Sequence, residues 1–370
     1  MQFRLLNLGP IPPLDTQVIF HAVGKGVDAG ESPATLVICW PRTDRPGDPP
    51  GLVSVGFHQD LAREVDLEYC SREGIPVARR ILGGGAVYLD SGQVFYQVVA
   101  PRGALPATTR EIFEHLLRAP VRTYRWLGID AEYAPVNDVR TKDGRKVSGN
   151  GLGFVGDAVV VSGNLIETFD FERMGRVLRV PDEKFRDKAV KAMRQYLGTI
   201  HDLIEGAPPR KEVVEHLVGE FEEVLGGRLV PGELTREERA EMARLREKYR
   251  TDDWLFQRDA HPLSPAPGRT LKVTGDVRLH AAAFKSPGGL IRASLLERDG
   301  RVEEADLSGD FHLTPREALH ELRKRLRGQP ADPEALTRVV ENFFAESGVD
   351  SPGTGAKDFA KALSAALASK

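Results

Sequence analysis

The sequence predicts an α+β fold of mixed α/β character, with a largely antiparallel-sheet domain over residues 1–258 and a small β-then-α domain over 271–347. Three observations predict it. Strand signals crowd the first hundred residues. Helical and strand patterns then mix without the strict alternation of a parallel nucleotide-binding sheet. After a proline-rich stretch the order changes to strands followed by helices. A chain of 370 residues is long enough for two cores.

The elements follow in order. Val18, Ile19, Ala22 and Val23 keep helical spacing behind Asp15 and Thr16, which offer an N-cap, so a helix is expected over 15–24. Residues 35–40 and 52–57 read as strands separated by a Pro/Gly/Asp turn region. Short strands at 77–81 and 86–89 flank three consecutive glycines, and 93–99 alternates like a further strand. Periodicity predicts helices over 109–127, 184–205, 210–225 and 236–249, with strands at 136–140, 146–149 and 158–161 between the first two. Pro262, Pro265 and Pro267 make 259–270 a linker. Beyond it, 271–279, 289–298 and 301–308 form a meander whose Asp299-Gly300 is a hairpin turn signature. Helices at 315–326 and 333–347 each open on a proline. Residues 348–370, rich in Ser, Gly and Ala, read as a flexible tail holding one short helix at 357–368.

Composition excludes several classes. With 51 basic against 54 acidic residues, no basic excess exists to draw a nucleic-acid duplex by counterion release. Cys39 and Cys70 cannot form a disulfide framework and lack the C-x-x-C unit of zinc ribbons and redox sites. The nine histidines include no H-E-x-x-H pair, so zinc is not expected. With no leader pattern and no window of ~20 apolar residues, the protein is expected to be cytoplasmic and without a membrane partner.

Two clusters could carry chemistry. In Arg79-Arg80-Ile81-Leu82-Gly83-Gly84-Gly85-Ala86-Val87-Tyr88-Leu89-Asp90, the glycines free several N–H groups to face a phosphate or carboxylate. Arg79 and Arg80 project to opposite faces of a strand, so only one can reach such a ligand. The alternative is a flexible hairpin with two surface arginines. In the second cluster, Asn137 and Asp138 offer oxygen ligands of the kind magnesium prefers. Lys146, followed by Val147, Ser148 and Gly149, presents an ammonium that a substrate can approach closely. Its alternative is a polar hairpin, Thr141-Lys142-Asp143-Gly144, with solvated charges.

Taken together, the clusters resemble the lipoate-protein ligase family, within the larger biotin/lipoate ligase group. Gly56-Phe57-His58-Gln59, the Arg-Arg-x-x-Gly-Gly-Gly-Ala-Val-Tyr-x-Asp run, Asn137-Asp138, and Gly144-Arg145-Lys146-Val147-Ser148-Gly149 stand in the family's order. Lys248-Tyr249, Trp254 and Phe256 are similar to the end of its catalytic domain, and Gly309-Asp310-Phe311 to its accessory domain. The resemblance implies ATP-dependent activation of lipoate to lipoyl-AMP, then transfer to a lysine of an acceptor lipoyl domain, with the C-terminal domain as a mobile cover. By position it implies Lys146 as the electrostatic catalyst. It implies nucleotide contacts from Arg80, Gly83, Gly84, Gly85, Ala86, Val87, Tyr88, Asp90, Gln93, Asn137 and Asp138. It also implies an acyl pocket at His58, Ser148 and Gly149, and Mg²⁺ on Asp138. The chain departs from the pattern at Gln93, at Asn150-Gly151 and at Gly156-Asp157-Ala158. Two other readings stay open on this scaffold. One is octanoyl transfer from an acyl carrier protein through a cysteine thioester, for which Ala131-Glu132-Tyr133-Ala134 lacks the thiol. The other is a non-catalytic module that binds lipoyl domains or lipoyl-AMP.

Overall fold

Nearly every position of the strand at Gln93–Pro101 is buried, a pattern that demands cover on both faces of a sheet. The computed structural model, which describes residues 2–180, 182–258, 269–274 and 277–369, supplies that cover. Contacts divide the chain into a first unit of residues 1–55, 64–81 and 86–255, and a second of 56–63, 82–85 and 256–370.

The first unit holds β1 (Arg4–Ile11), β2 (Thr35–Pro41), β3 (Leu52–Val55), β4 (Val77–Arg79), β5 (Val87–Leu89), β6 (Gln93–Pro101), β7 (Ala131–Ala134), β8 (Asp138–Thr141), β9 (Lys146–Val155), β10 (Ala158–Ile166) and β11 (Val230–Pro231). Eight of them form one sheet in the order β11-β1-β2-β6-β10-β9-β8-β7, and β4-β3-β5 form a second. Pairing is parallel for β1 with β2 and β11 and for β3 with β4, and antiparallel elsewhere in the two sheets. Leu36, Ile38, Val94, Tyr96 and Val98 pack with Phe113, Leu116, Tyr124, Leu217 and Phe221 from helices Thr109–Leu116, Arg118–Trp126 and Arg210–Leu225. On the opposite face Gln97 donates to Thr16 O at 2.8 Å, under helix Asp15–Asp28. Arg246 of helix Arg236–Arg250 grips Asp15 at 2.6 and 2.8 Å.

Several expected elements shift. The strand β1 was not anticipated, because Gly9 and Pro10 interrupt its apolar run; it carries a bulge between Asn7 and Gly9. The helix expected over 109–127 is two helices meeting at Leu117, and the one expected over 184–205 is Glu183–Tyr196 followed by Ile200–Leu203.

In the second unit β12 (Arg269–Thr274), β13 (Val277–Ser286), β14 (Gly289–Arg298) and β15 (Arg301–Gly309) form an antiparallel meander. The single strand expected at 271–279 therefore divides between β12 and β13. Asp299 and Gly300, both at positive φ, turn β14 into β15 as their sequence predicts. Helix Pro333–Ser347 carries Pro333 in its first turn behind the Asp332 cap. Most of the linker expected at 259–270 lies outside the described residues. The flexible tail expected over 348–370 is corrected: Ala356–Leu367 is a helix whose Phe359, Ala362, Leu363 and Ala366 are fully buried in the second core. Its small residues, which suggested looseness, let the helix approach β13 and β14 closely.

Candidate active site

Lys146 opens β9, which pairs antiparallel with β8. Strand alternation alone would put Lys146 and Gly149 on opposite faces. The register runs Asp138↔Gly149, Val139↔Ser148 and Arg140↔Lys146, so one extra residue stands in β9. That bulge brings Lys146 and Gly149 to the face that carries Asp138 and Arg140.

On this face Lys146 Nζ lies 2.7 Å from Asp138 Oδ1. Arg140 Nη2 donates to Asp138 Oδ2 at 2.9 Å and to Tyr196 Oη at 2.8 Å. The Tyr196 hydroxyl donates to Asp138 Oδ2 at 3.4 Å, and its ring lies 5.1 Å beneath the Arg140 guanidinium. Burial and the neighbouring Asp138 charge raise the Tyr196 phenol above its ordinary value. A Cβ at Gly149 would stand 3.0 Å from Lys146 Cε, so the absent side chain is what seats the ammonium.

The opposite face of β9 is a buried polar ladder. Ser148 Oγ lies 3.1 Å from Tyr96 Oη, which donates to Asn150 Oδ1 at 2.5 Å. Asn150 Nδ2 donates to Asn137 O at 2.9 Å, and Asn137 returns its amide to Asn150 O. On the Lys146 face, by contrast, Gly149 N–H donates to Asn164 Oδ1 at 3.0 Å, and Asn164 Nδ2 to Gln93 Oε1 at 3.0 Å, as the register of β9, β10 and β6 requires. Gln93 Nε2 in turn donates to Tyr88 O at 3.0 Å and Asp90 Oδ1 at 3.4 Å. Burial raises the Asp90 carboxyl.

The adjacent arginines part as alternation requires. Arg79 is fully buried and its Nε donates to Leu255 O at 2.8 Å, while its own carbonyl accepts from Trp254 Nε1 at 2.9 Å. Arg80 is half-buried, and its Nη1 donates to Ser54 O at 2.8 Å. Burial pushes its guanidinium down to about 10. The Tyr88 ring is buried with its hydroxyl on Pro50 O at 2.6 Å, whereas Val87 is exposed and Ala86 half-buried.

Of the expected site residues, the first unit thus joins Lys146, Asp138 and Gly149 on one face, where Gln93 links Asp90 and Tyr88 to Gly149 through Asn164, and Asn137 with Ser148 on the other. Gly83, Gly84, Gly85 and His58 belong to the second unit. There the His58 ring stacks on Phe311 at 5.0 Å and meets Phe57 edge-on at 5.2 Å. A Cβ at Gly83 would lie 2.8 Å from Phe311 O, and Gly84 has φ 93°, so both glycines have local reasons of their own. Arg140, Asn150, Asn164, Tyr96 and Tyr196 were not singled out as site residues. For Arg140 the signal was its two-residue spacing from Asp138 on a strand; Tyr196, on a distant helix, left none.

Residues 45–222 match the family model described as the lipoyl protein ligase A/B catalytic domain. An octanoyltransferase LipM from Kyrpidia tusciae is 31% identical over 281 residues, which span 69% of this chain and 99% of the relative. A solved structure from the archaeal lipoylation system of Thermoplasma acidophilum, a bi-partite lipoate protein ligase and its E2 lipoyl domain, aligns with TM-score 0.61 and 28% identity over 71% of this chain and 99% of its own. A lipoate-protein ligase A bound with ATP aligns with TM-score 0.56 and 25% identity over 70% of this chain and all of its own. The fold, the strand pair that carries Lys146 and these likenesses agree: the chain belongs to the family of lipoate-protein ligases and octanoyltransferases.

Proposed function

We propose that the chain is an ATP-dependent lipoate-protein ligase, which makes lipoyl-AMP and passes the lipoyl group to a lysine of an acceptor lipoyl domain. The burial of both thiols carries this reading. Acyl transfer through a thioester needs a reachable thiolate. The sequence has two cysteines. Cys39 lies in β2 with no exposed surface, and burial, with the Asp15 charge, raises its thiol well above the usual range. Cys70 is buried in helix Leu67–Arg72, and burial, with Asp66, pushes it up to about 12. The segment Ala131–Ala134, where the resemblance would put a nucleophile, is β7 and holds none. The LipM relative is an octanoyltransferase, which makes that activity the alternative to test.

In the first step a lipoate carboxylate oxygen attacks the α-phosphorus of ATP, the α–β P–O bond breaks, and pyrophosphate leaves with the electron pair. Lys146 offsets the charge that gathers on the α-phosphate and on the acyl oxygen. Arg80, and the main chain of Ala86 and Val87, are the nucleotide contacts proposed within the same unit. In the second step the neutral ε-amine of the acceptor attacks the acyl carbonyl, the bond to AMP breaks, and the amine proton passes to solvent. Both carboxylate oxygens of Asp138 are engaged by Lys146 and Arg140, so a magnesium ion bound there would compete with two cations. Among the described residues no cluster of three His, Cys, Asp or Glu could hold a metal. Magnesium therefore enters with ATP as part of the substrate.

The test is intact-mass analysis of an apo-lipoyl domain incubated with the chain and either ATP plus lipoate or octanoyl acyl carrier protein without ATP. Lipoylation that requires ATP is expected. Octanoylation without ATP would replace the reading by the transferase.

A further inference from the structure

Helix Glu183–Tyr196 carries five basic residues, Lys184, Arg186, Lys188, Lys191 and Arg194, against two acidic ones, in a chain whose net charge is −3. Arg186 pairs with Glu183, and Arg194 with Glu172 at 3.2 Å. Lys184, Lys188 and Lys191 make no ion pair among the described residues, and all three are exposed. They stand four and three residues apart, so with exposed Gln195 they line one side of the helix over about 16 Å. Phe185, 53% exposed, sits at the far end with Lys188 Nζ 5.6 Å from its ring. Asp187 is the one carboxylate beside the stripe, three residues from Lys184 and four from Lys191, and with five basic against two acidic residues the helix keeps a net positive charge that favours a negative partner.

The near end of this helix is bonded to the candidate site. Tyr196 contacts Arg140 and Asp138 as described above, and Leu197 forms a bridge with Lys146. Gly198 N–H donates to Lys146 O at 2.9 Å. The helix that carries the stripe therefore ends against Asp138 and Arg140 beside Lys146, and the stripe runs from Lys191, five residues back from Tyr196, away across the surface of the same unit.

We infer that the Lys184, Lys188 and Lys191 stripe is the docking surface for an acidic face of the acceptor domain, holding that domain so that its lysine reaches the acyl group beside Lys146. The inference rests on the ligase reading for the reaction, but its surface is tested separately. A protein partner is favoured over nucleic acid or membrane because the helix that carries the stripe ends beside the place where a protein lysine must be acylated. Complementary charge of this kind acts chiefly on encounter rate and on KM, and it is screened by salt.

The experiment compares the native chain with the K184E/K188E/K191E variant on an apo-lipoyl domain, and on the same domain with the carboxylates around its lysine changed to amides. At about 0.1 M salt, where the Debye length is about 10 Å, the variant should raise the KM for the acidic acceptor about tenfold or more. ATP- and lipoate-dependent pyrophosphate release without acceptor should stay unchanged, the gap should close at about 1 M salt, and the amide acceptor should treat both proteins alike. An unchanged KM, or an equal rise with the amide acceptor, overturns the inference. So does tighter binding of duplex DNA or anionic vesicles than of the acceptor. If the native chain releases no pyrophosphate, the ligase reading fails by itself. The docking surface is then read from the equilibrium affinity of the labelled acceptor for both proteins, with equal affinities overturning it.

Discussion

A Cβ at position 149 would lie 3.1 Å from Lys146 Nζ, so the side chain that Gly149 lacks sets where the ammonium rests. The colliding atoms are the far end of a flexible lysine, which yields more readily than backbone. Gly149→Ala should therefore leave the fold intact and move Nζ off its 2.7 Å seat on Asp138. The contacts of 3.0 and 3.1 Å ask the lysine to give by a few tenths of an ångström, so the rate should fall by less than the ~10²-fold that a 1 Å displacement costs. Pyrophosphate release measured beside a thermal melt checks this, with a fall in rate at an unchanged melting midpoint as the expected pair.

Removing the ammonium goes further. Lys146→Ala takes away a preorganised charge and should slow adenylate formation by about 10²–10³. Asp138 keeps Arg140 as a partner in that variant, so circular dichroism should match the native chain. A rate within a few-fold of native would remove Lys146 from the mechanism.

The thiols give an opposite expectation. Cys39 and Cys70 are both buried, so iodoacetamide should label neither in the folded chain and both after denaturation. The double change Cys39→Ala/Cys70→Ala should keep ATP-dependent lipoylation. Loss of acyl transfer at full folding would identify a thioester step.

Stability of the first unit should respond to acid through Glu238. Burial alone would raise this carboxyl, but the Arg4 guanidinium at 2.5 Å, the Thr235 N–H and the Ser32 hydroxyl outweigh it and hold it below its ordinary value. A depressed folded pKa contributes stability that is present above the unfolded carboxyl value, about 4.3, and is lost as pH falls through the lower folded value. Glu238→Gln leaves Arg4 buried without its counter-charge and should cost about 3–5 kcal/mol at neutral pH. Urea midpoints recorded at neutral pH and through the acid range should show the native chain losing its Glu238 contribution as pH falls and the variant lacking that pH dependence.

The C-terminal helix offers a packing test. Phe359 is fully buried, with its ring 5.0 Å from Phe311 and 5.5 Å from Phe344. Phe359→Ala should destabilise the second unit by about 3–5 kcal/mol, read by urea unfolding of the full chain. A loss below about 1 kcal/mol would mean that the helix is only loosely held.

Local chemistry made much of this molecule legible. Asp299-Gly300 and Asp332-Pro333 fix their turn and cap through backbone preferences that neighbours do not override. The helix at Arg210–Leu225 is read to the residue, because its apolar spacing ends at Gly226 in the left-handed conformation. What escaped the sequence depends on distant partners. The extra residue in β9 that turns Lys146 toward Asp138 shows only once β8 is laid beside it. Tyr196 reaches Asp138 across 58 residues of chain. The helix Ala356–Leu367 looks featureless because alanine marks close approach as readily as it marks slack.

The buried pair of Arg4 and Glu238 also orders events during synthesis. β1 leaves the ribosome ahead of its partners, and its guanidinium has no counter-ion, and one edge no neighbour, until β11 and helix Arg236–Arg250 have been translated. The 234 residues that separate Arg4 from Glu238 must therefore be made before β1 can lock. Nascent chains stalled short of residue 238 would carry that segment unsealed, as a ready target for chaperones.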